Sequence, residues 1–232
     1  MGRRERRVIV VAVSLWAFVG LNWHTSAMAA CSDEEVLFRR MSASDTDAAK
    51  SENFIRDRDL NSNCLGDAES HSTAHVRNAA FTKFAEVGWV EQWGAGLSHS
   101  FKFFYEVDIG STILGGFSYG PVTSSGAWTG LKVLSTPGTD VWTFEVDWGL
   151  DGTWTQIGSF DATFNEGIPM GETGRRGGEG TGASDNHRAL NYKLCNNGCP
   201  WNAWPTNYAY KDTISNWHGV FQSSNHYKVE KD

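Results

Sequence analysis

Helical periodicity is almost absent from this 232-residue chain after residue 75, and positive charge is scarce, with 20 Lys and Arg against 27 Asp and Glu. The missing helical period leaves an all-β fold as the expectation for most of the chain. The acidic excess repels nucleic acid and anionic lipid, so we exclude both as partners. Two enzyme signatures are also missing: no Walker lysine accompanies the glycine-rich stretch 171–188, and no G-x-S-x-G elbow occurs.

The first 30 residues have the layout of a secretory signal peptide. A basic "MGRRERR" precedes an apolar run of 14 residues, and "SAMAA" offers small residues for cleavage near Ala29 or Ala30. The run is shorter than the ~20 residues of a spanning helix, so no membrane span is predicted. We therefore expect a secreted, extracellular protein with a net charge near −10 once residues 1–30 are removed. A lipid anchor at Cys31, in the lipobox-like "MAAC", is the alternative.

Four cysteines remain after that segment, and an even number in an oxidising compartment predicts two disulfides. Three pairings are open, and we favour the two that close locally, Cys31–Cys64 and Cys195–Cys199. A single C-x3-C without a second cluster is a poor zinc site, because outside the cell such a pair is more often a disulfide.

Residues 31–73 are polar and charged and are predicted to form a partly helical N-terminal arm. Ser32 and Glu35 have the spacing of a capping box, which indicates a short helix in "SDEEVLFRRM". The disulfide at Cys64 would hold this arm against the domain that follows, residues 74–232.

That domain shows strand periodicity. Alternate residues are apolar from Phe101 to Ile109 and again from Trp142 to Trp148, and Asp151-Gly152 marks a hairpin turn. Many short strands with turn signals predict an antiparallel β-sandwich of the jelly-roll or concanavalin-like type. The glycine-rich stretch 171–188 is predicted to be a flexible surface loop.

The stretch "FAEVGWVEQW", residues 84–93, carries a carboxylate and a glycine within a predicted strand. Period two places Glu86 and Gly88 on one face and Val87 and Trp89 on the other, which has the character of a core face. Glycine lets a backbone or a substrate approach closely, so Glu86 and Gly88 could form the floor of a cleft. The plainer alternative is an ordinary exposed glutamate on a solvated face.

The motif "EVGW" at Glu86–Trp89, followed by "FKFFYEV" at Phe101–Val107, resembles the "EAGW" strand and the aromatic strand of neprosin-type glutamic peptidases. These, like the fungal glutamic peptidases, are secreted, acid-active β-sandwiches. By this resemblance Glu86 matches the first catalytic glutamate. Glu172 in "MGETG" is the best match for the second.

The resemblance implies a secreted glutamic-peptidase-like hydrolase, or a degenerate member, without a cofactor. One carboxylate would take a proton from the attacking water, and the other would donate a proton to the developing oxyanion. The substrate would be an extracellular polypeptide, and we expect a monomer. Four residues are assigned to substrate binding: Trp89, Trp93, Phe104 and Glu106.

Two other functions stay open. The nine tryptophans beyond residue 30 could form a carbohydrate-binding or adhesion surface for a polysaccharide, with candidates Trp93, Trp128, Trp154, Trp201 and Trp204. Three coplanar exposed rings would favour that function. The E-x-D pairs Glu106–Asp108 and Glu145–Asp147 resemble laminarinase-type glycosidases, although the second glutamate of that motif is absent.

No metal site is predicted. His71 and His75 have i, i+4 spacing, but the glutamate that follows the first histidine in zincins is missing.

Overall fold

The computed structural model of the chain describes residues 33–40, 45–55, 67–94, 100–118, 126–176, 184–204, 208–212, 217–223 and 225–231. These ranges form fifteen β-strands in two sheets, and every strand pairing among them is antiparallel. The predicted all-β sandwich is confirmed. In the same ranges, no helix has the length and apolar character needed to cross a membrane.

The first sheet has seven strands and carries the candidate site. Its order across the sheet is β13 (Tyr208–Asp212), β1 (Asp33–Arg40), β10 (Ile168–Arg176), β3 (Asp67–Arg77), β4 (Phe84–Gly94), β5 (Ser100–Asp108) and β6 (Ile113–Ser118).

The second sheet packs against the inner face of the first. Its order is β14 (Trp217–Ser223), β15 (His226–Lys231), β11 (Ser184–Lys193), β2 (Ala48–Phe54), β7 (Trp128–Ser135), β8 (Val141–Asp147) and β9 (Thr155–Asp161). The short strand β12 (Asn202–Ala203) pairs with β11 outside that order.

The core lies between the two sheets and follows the period-two patterns of the sequence. Phe103 and Val107 of β5 are buried in it, and Phe144 and Val146 of β8 face them from the second sheet. Trp142 completes the apolar face of β8. The predicted turn at Asp151-Gly152 lies in the connection between the paired strands β8 and β9, so that hairpin is also confirmed.

The prediction of a helix in the N-terminal segment is wrong. The segment "DEEVLFRR" is strand β1, which lies between β10 and β13, and the next described segment contributes β2 between β11 and β7. Both are inner strands of their sheets, so Asp33–Arg40 and Ala48–Phe54 are integral to the sandwich and not an appended arm. Pairing with distant strands outweighs the local capping signal here, because each inner strand hydrogen-bonds on both of its edges.

The glycine-rich stretch 171–188 is also more regular than predicted. Residues 171–176 continue β10 and residues 184–188 begin β11. Gly171 is buried and lies opposite the core residue Ala74. The part of the stretch between the two strands lies outside the described residues.

The disulfide Cys195–Cys199 is confirmed and closes the loop after β11. Cys31 and Cys64 lie outside the described residues, as does the signal-like segment 1–30.

Asp47 connects this loop to the second sheet. Its backbone bonds the ends of two strands, since its N–H donates to Lys193 O at 2.9 Å and its C=O accepts from Ser135 N–H at 2.8 Å. Its side-chain Oδ2 accepts from the N–H of Asn196, in the disulfide loop, at 3.0 Å. Burial raises the pKa of the Asp47 carboxyl, and the bond from Asn196 opposes that rise only in part.

The raised pKa means that the folded chain binds the Asp47 proton more tightly than the unfolded chain does. The ionised carboxylate therefore lowers stability at neutral pH, and this penalty vanishes as the pH falls below the unfolded-state pKa. We expect Asp47→Asn to be at least as stable as the wild type near pH 7, and any gain should vanish near about pH 3. Urea denaturation at the two pH values measures this, with the exposed Asp140→Asn as the control for a change in net charge. A variant that is clearly less stable near pH 7 would contradict it.

Candidate active site

The hairpin of β3 and β4 sets the register on which the site depends. The connecting loop, residues 78–83, is organised by Asn78, whose Oδ1 accepts the N–H of Thr82 at 2.9 Å and that of Lys83 at 3.1 Å. The backbone N–H of Asn78 also donates to Lys83 O at 3.0 Å. With the loop closed in this way, His75 lies directly opposite Glu86.

Strand β10 brings a second carboxylate to the same place from the other side of β3. Glu172 lies opposite Thr73, two residues from His75, so its side chain is a diagonal neighbour of the imidazole. A glutamate is long enough to span that diagonal. Glu86 and Glu172, which are far apart in sequence, therefore converge on one histidine between them.

The three groups are in close contact and largely enclosed. His75 Nδ1 lies 3.3 Å from Glu86 Oε2 and 4.0 Å from Glu172 Oε2. The side chain of His75 is 1% exposed, that of Glu86 5% and that of Glu172 13%, which makes Glu172 the most accessible of the three. Thr73 Oγ1 lies 3.3 Å from the same nitrogen, so the imidazole has two polar neighbours at similar distances. We call His75, Glu86 and Glu172 the triad.

Electrostatics couple the three members of the triad. Removing two carboxylates from water without compensation is costly, and an adjacent imidazole can supply either a hydrogen bond or a positive charge. Groups this close exchange protons as one unit, so their titration belongs to the triad as a whole. The arrangement can hold one carboxylate ionised while the other carries a proton, which is the condition that acid–base catalysis requires.

A polar cluster between the sheets supports the two strands from behind. Asn53 Nδ2 donates to Ser72 Oγ at 2.8 Å and lies 3.0 Å from His187 Nδ1. His187 Nε2 lies 2.8 Å from Thr173 Oγ1. Ser72 and Thr173 are the sequence neighbours of Thr73 and Glu172, and they lie opposite each other on β3 and β10. This cluster therefore fixes the backbone of both strands next to the triad.

Gly88 occupies the strand face of Glu86, and its neighbours explain the missing side chain. A Cβ at this position would lie 2.8 Å from Phe104 Cε1, 2.8 Å from Thr73 Cγ2 and 2.7 Å from the backbone oxygen of Ser72. Phe104 lies directly across from Gly88 on β5, and its ring covers the glycine. Gly88 therefore allows other groups to approach closely, as the sequence suggested. Those groups are Phe104, Thr73 and the backbone of Ser72, which belong to the protein itself.

The other predicted substrate-binding residues have different outcomes. Phe104 and Glu106 lie on the triad's face of the sheet, and Glu106 is directly opposite Glu86. The assignment of Trp89 is wrong, because its side chain is 1% exposed within the core cluster and cannot touch a substrate unless the sheets separate. The side chain of Trp93 lies outside the described part of the structure.

His75 is the member of the triad that the sequence did not predict. The i, i+4 spacing of His71 and His75 would suit a metal site on a helix, but both histidines lie on strand β3. The register of a β-hairpin, in contrast, predicts that Glu86 is the neighbour of His75. The polar loop "NAAFTK" between two β-patterned stretches predicts a hairpin, and closing it symmetrically brings residue 75 opposite residue 86.

The four described tryptophans among those predicted for sugar stacking, Trp128, Trp154, Trp201 and Trp204, do not form an open platform. Trp204 is 1% exposed. The rings of the other three described candidates are only partly exposed, and each has a cation over it: Arg188 lies 3.8 Å from the centroid of Trp128, Lys132 lies 4.0 Å from Trp154 and Lys50 lies 4.6 Å from Trp201. A ring face covered by a cation is not available to stack on a sugar.

Three of the four carboxylates of the E-x-D pairs have structural partners. Glu145 forms an ion pair with Lys132. Asp147 accepts the backbone N–H of Gly152 at 2.9 Å and so helps to close the β8–β9 connection. Asp108 accepts the N–H of Gly110 at 2.6 Å. These contacts give Glu145, Asp147 and Asp108 a structural role.

Within the described ranges, the ligand atoms of the triad also lie close enough together to hold a metal ion. One ligand atom from each of its members lies within 4.8 Å of the others.

Filling the space at Gly88 should destabilise the fold. We expect Gly88→Ala to lower the free energy of unfolding by about 1–3 kcal/mol, because the new methyl group collides with the backbone of the neighbouring strand as well as with two side chains. Gly149→Ala is the matched control, since a Cβ there meets nothing within 4 Å. Chemical denaturation of both variants measures the difference, and equal stabilities would contradict the packing described here.

Comparison with known proteins yields a limited similarity. No protein-family model and no curated protein matches the chain. Among solved structures, the chain is similar to SCP-B, a member of the eqolisin family of peptidases, in a complex with the tripeptide Ala-Ile-His. The two chains are 10% identical, the match covers 87% of this chain and 100% of SCP-B, and the TM-score is 0.48. The case for a function therefore rests on this chain's own side chains.

Proposed function

We propose that the protein is a glutamic-peptidase-like hydrolase in which Glu86 and Glu172 activate water for attack on a peptide bond. One observation carries the proposal: two carboxylates from β4 and β10 approach a single imidazole nitrogen on β3, on the sheet face that points away from the core. Structural glutamates rarely converge in this way, because burying two like charges together is unfavourable.

The roles of the two glutamates follow from their distances to His75. An Nδ1–H that donates to Glu86 Oε2, at 3.3 Å, favours the ionised form of Glu86. Glu86 is then the general base that takes a proton from water. Glu172 lies farther from that nitrogen, at 4.0 Å, and gains less from the donated hydrogen bond, so it carries the proton. Its side chain is the more exposed of the two carboxylates and faces the substrate.

The reaction needs one ionised and one protonated carboxylate. Water attacks the peptide carbonyl as Glu86 accepts its proton, and Glu172 donates a proton to the oxygen on which negative charge develops. The tetrahedral intermediate collapses when the proton held by Glu86 passes to the leaving amine and one hydroxyl of the intermediate returns its proton to Glu172, so that both carboxylates regain their starting states. His75 is a positioning residue in this scheme, since it holds the base in place and favours its charge.

Substrate contacts come from the same face of the sheet. Glu106, which is partly exposed, adds a third carboxylate opposite Glu86, and the ring of Phe104, which is only 8% exposed, closes the site next to Gly88. An acidic site of this kind suits a polypeptide with a basic or neutral segment at the scissile bond. The signal-like segment 1–30 supports secretion, which would place the protein among extracellular polypeptides.

The two glutamate-to-glutamine variants test the proposal, because they keep the side-chain shape and remove the acid–base function. We expect Glu86→Gln and Glu172→Gln each to slow cleavage by about 10²–10⁴-fold, with the free energy of unfolding changed by less than about 1 kcal/mol. The assay follows new amino termini released from an unfolded protein substrate between about pH 3 and pH 7. Activity should fall toward the upper end of that range, as the proton on the second carboxylate is lost.

Glu166→Gln is the matched control, because Glu166 is an exposed carboxylate in the loop before β10. It should cleave at the wild-type rate. Full activity in purified Glu86→Gln protein would refute the assigned base, and full activity in Glu172→Gln would refute the assigned acid.

A further inference from the structure

We infer that the triad His75, Glu86 and Glu172 binds a divalent transition-metal ion of the zinc class. The inference goes beyond peptide hydrolysis and does not depend on it, because it follows from ligand type, geometry and burial alone. In ligand type, geometry and burial, the triad resembles a site that binds a metal ion.

The geometry requires only a small contraction. His75 Nδ1 lies 3.3 Å from Glu86 Oε2 and 4.0 Å from Glu172 Oε2, and one ligand atom from each of the three residues lies within 4.8 Å of the others. An ion in the plane of three atoms within that limit would lie no more than about 2.8 Å from each, and zinc bonds to imidazole nitrogen and carboxylate oxygen are about 2.0–2.2 Å. Small rotations of the two glutamate carboxylates supply the remaining contraction.

The ligand set selects the class of ion. Carboxylate oxygens alone would suit magnesium or calcium, but a neutral imidazole nitrogen favours zinc and its first-row neighbours. Two carboxylates and one imidazole give a site whose charge compensates that of a divalent cation. Three protein ligands also leave a fourth position open for water, as in zinc sites that are not purely structural.

The supporting structure favours binding because the ligands are held before an ion arrives. They project from three adjacent strands, β10, β3 and β4, so their backbones cannot separate without breaking the ladder between them. His187 and its partners brace two of these strands from the inner side. A preorganised site loses little freedom on binding, which raises affinity.

Binding would have a consequence for the proposed function, and this part alone rests on that function. An ion that ligates both carboxylates prevents one from acting as a base and the other from carrying a proton. Zinc would therefore inhibit the two-carboxylate reaction, and a chelator would restore it.

The binding test uses the purified full-length chain, freed of metal by a chelator and titrated with Zn²⁺ by calorimetry near neutral pH. We expect one ion per chain, and no binding of Mg²⁺ at the same concentration. His75→Gln, Glu86→Gln and Glu172→Gln should each weaken Zn²⁺ binding by at least about tenfold. Glu166→Gln and His226→Gln are the matched controls outside the triad, and both should bind as the wild type does.

Three results would overturn the inference. One is the absence of Zn²⁺ binding by the wild type. A second is equal affinity for Mg²⁺, which would indicate diffuse attraction to an acidic chain with a formal charge of −7. The third is undiminished Zn²⁺ binding in folded His75→Gln protein, which would locate the ion elsewhere.

A measurement on the wild type covers the case in which a triad variant does not fold. Zn²⁺ should shift the imidazole resonances of His75 in the nuclear magnetic resonance spectrum, and a shift confined to other histidines would overturn the inference. The hydrolase proposal and the metal proposal can be refuted independently of each other. Loss of cleavage in metal-free Glu86→Gln tests the first, and Zn²⁺ binding by a protein that cleaves nothing would leave the second intact.

Discussion

The register of the β3–β4 hairpin is the constraint on which the rest of the site depends. Because side chains alternate along a strand, a slip of one residue would exchange the two faces of β4. Glu86 would then enter the core, and Trp89 would move to the outer face. The loop organised by Asn78 prevents that slip locally, and the large indole of Trp89 resists it through its burial between the sheets. A loop hydrogen bond and a core tryptophan thus help to position the carboxylate of Glu86.

The triad also shows how a sheet can carry acidic groups at low exposure. Glu86 alone would be an unfavourable residue to enclose, and Glu172 beside it would make matters worse. His75 changes this balance because a single imidazole can donate a hydrogen bond or accept a proton as the charge nearby changes. The same flexibility would be useful to a catalyst and to a metal site, which is why both proposals concern the same three side chains.

The sequence predicted the fold better than it predicted the site, and particular residues show why. Alternation in Phe101–Ile109 and Trp142–Trp148 identified core faces correctly, because one buried face leaves a local imprint on a strand. The same alternation assigned Trp89 to the core correctly, and the separate assignment of Trp89 to substrate binding is wrong because the side chain is buried. The convergence of Glu172 with Glu86 was anticipated only through that resemblance. His75 and the strand character of Asp33–Arg40 were missed because both depend on pairing with strands far away in the chain, on which local propensity carries no information.

The inner position of the N-terminal strands has a further consequence, for the time at which the protein can fold. Strand β1 pairs with β10, and in that register Asp33 lies opposite Arg176. The other edge of β1 pairs with β13, which comes still later in the chain. Strand β2 likewise requires β11 on one side. Neither sheet can be completed while the second half of the chain is unavailable, and contacts this distant make folding slow. During that interval the early strands have open edges, so the protein should be most vulnerable to aggregation before its last strands are in place.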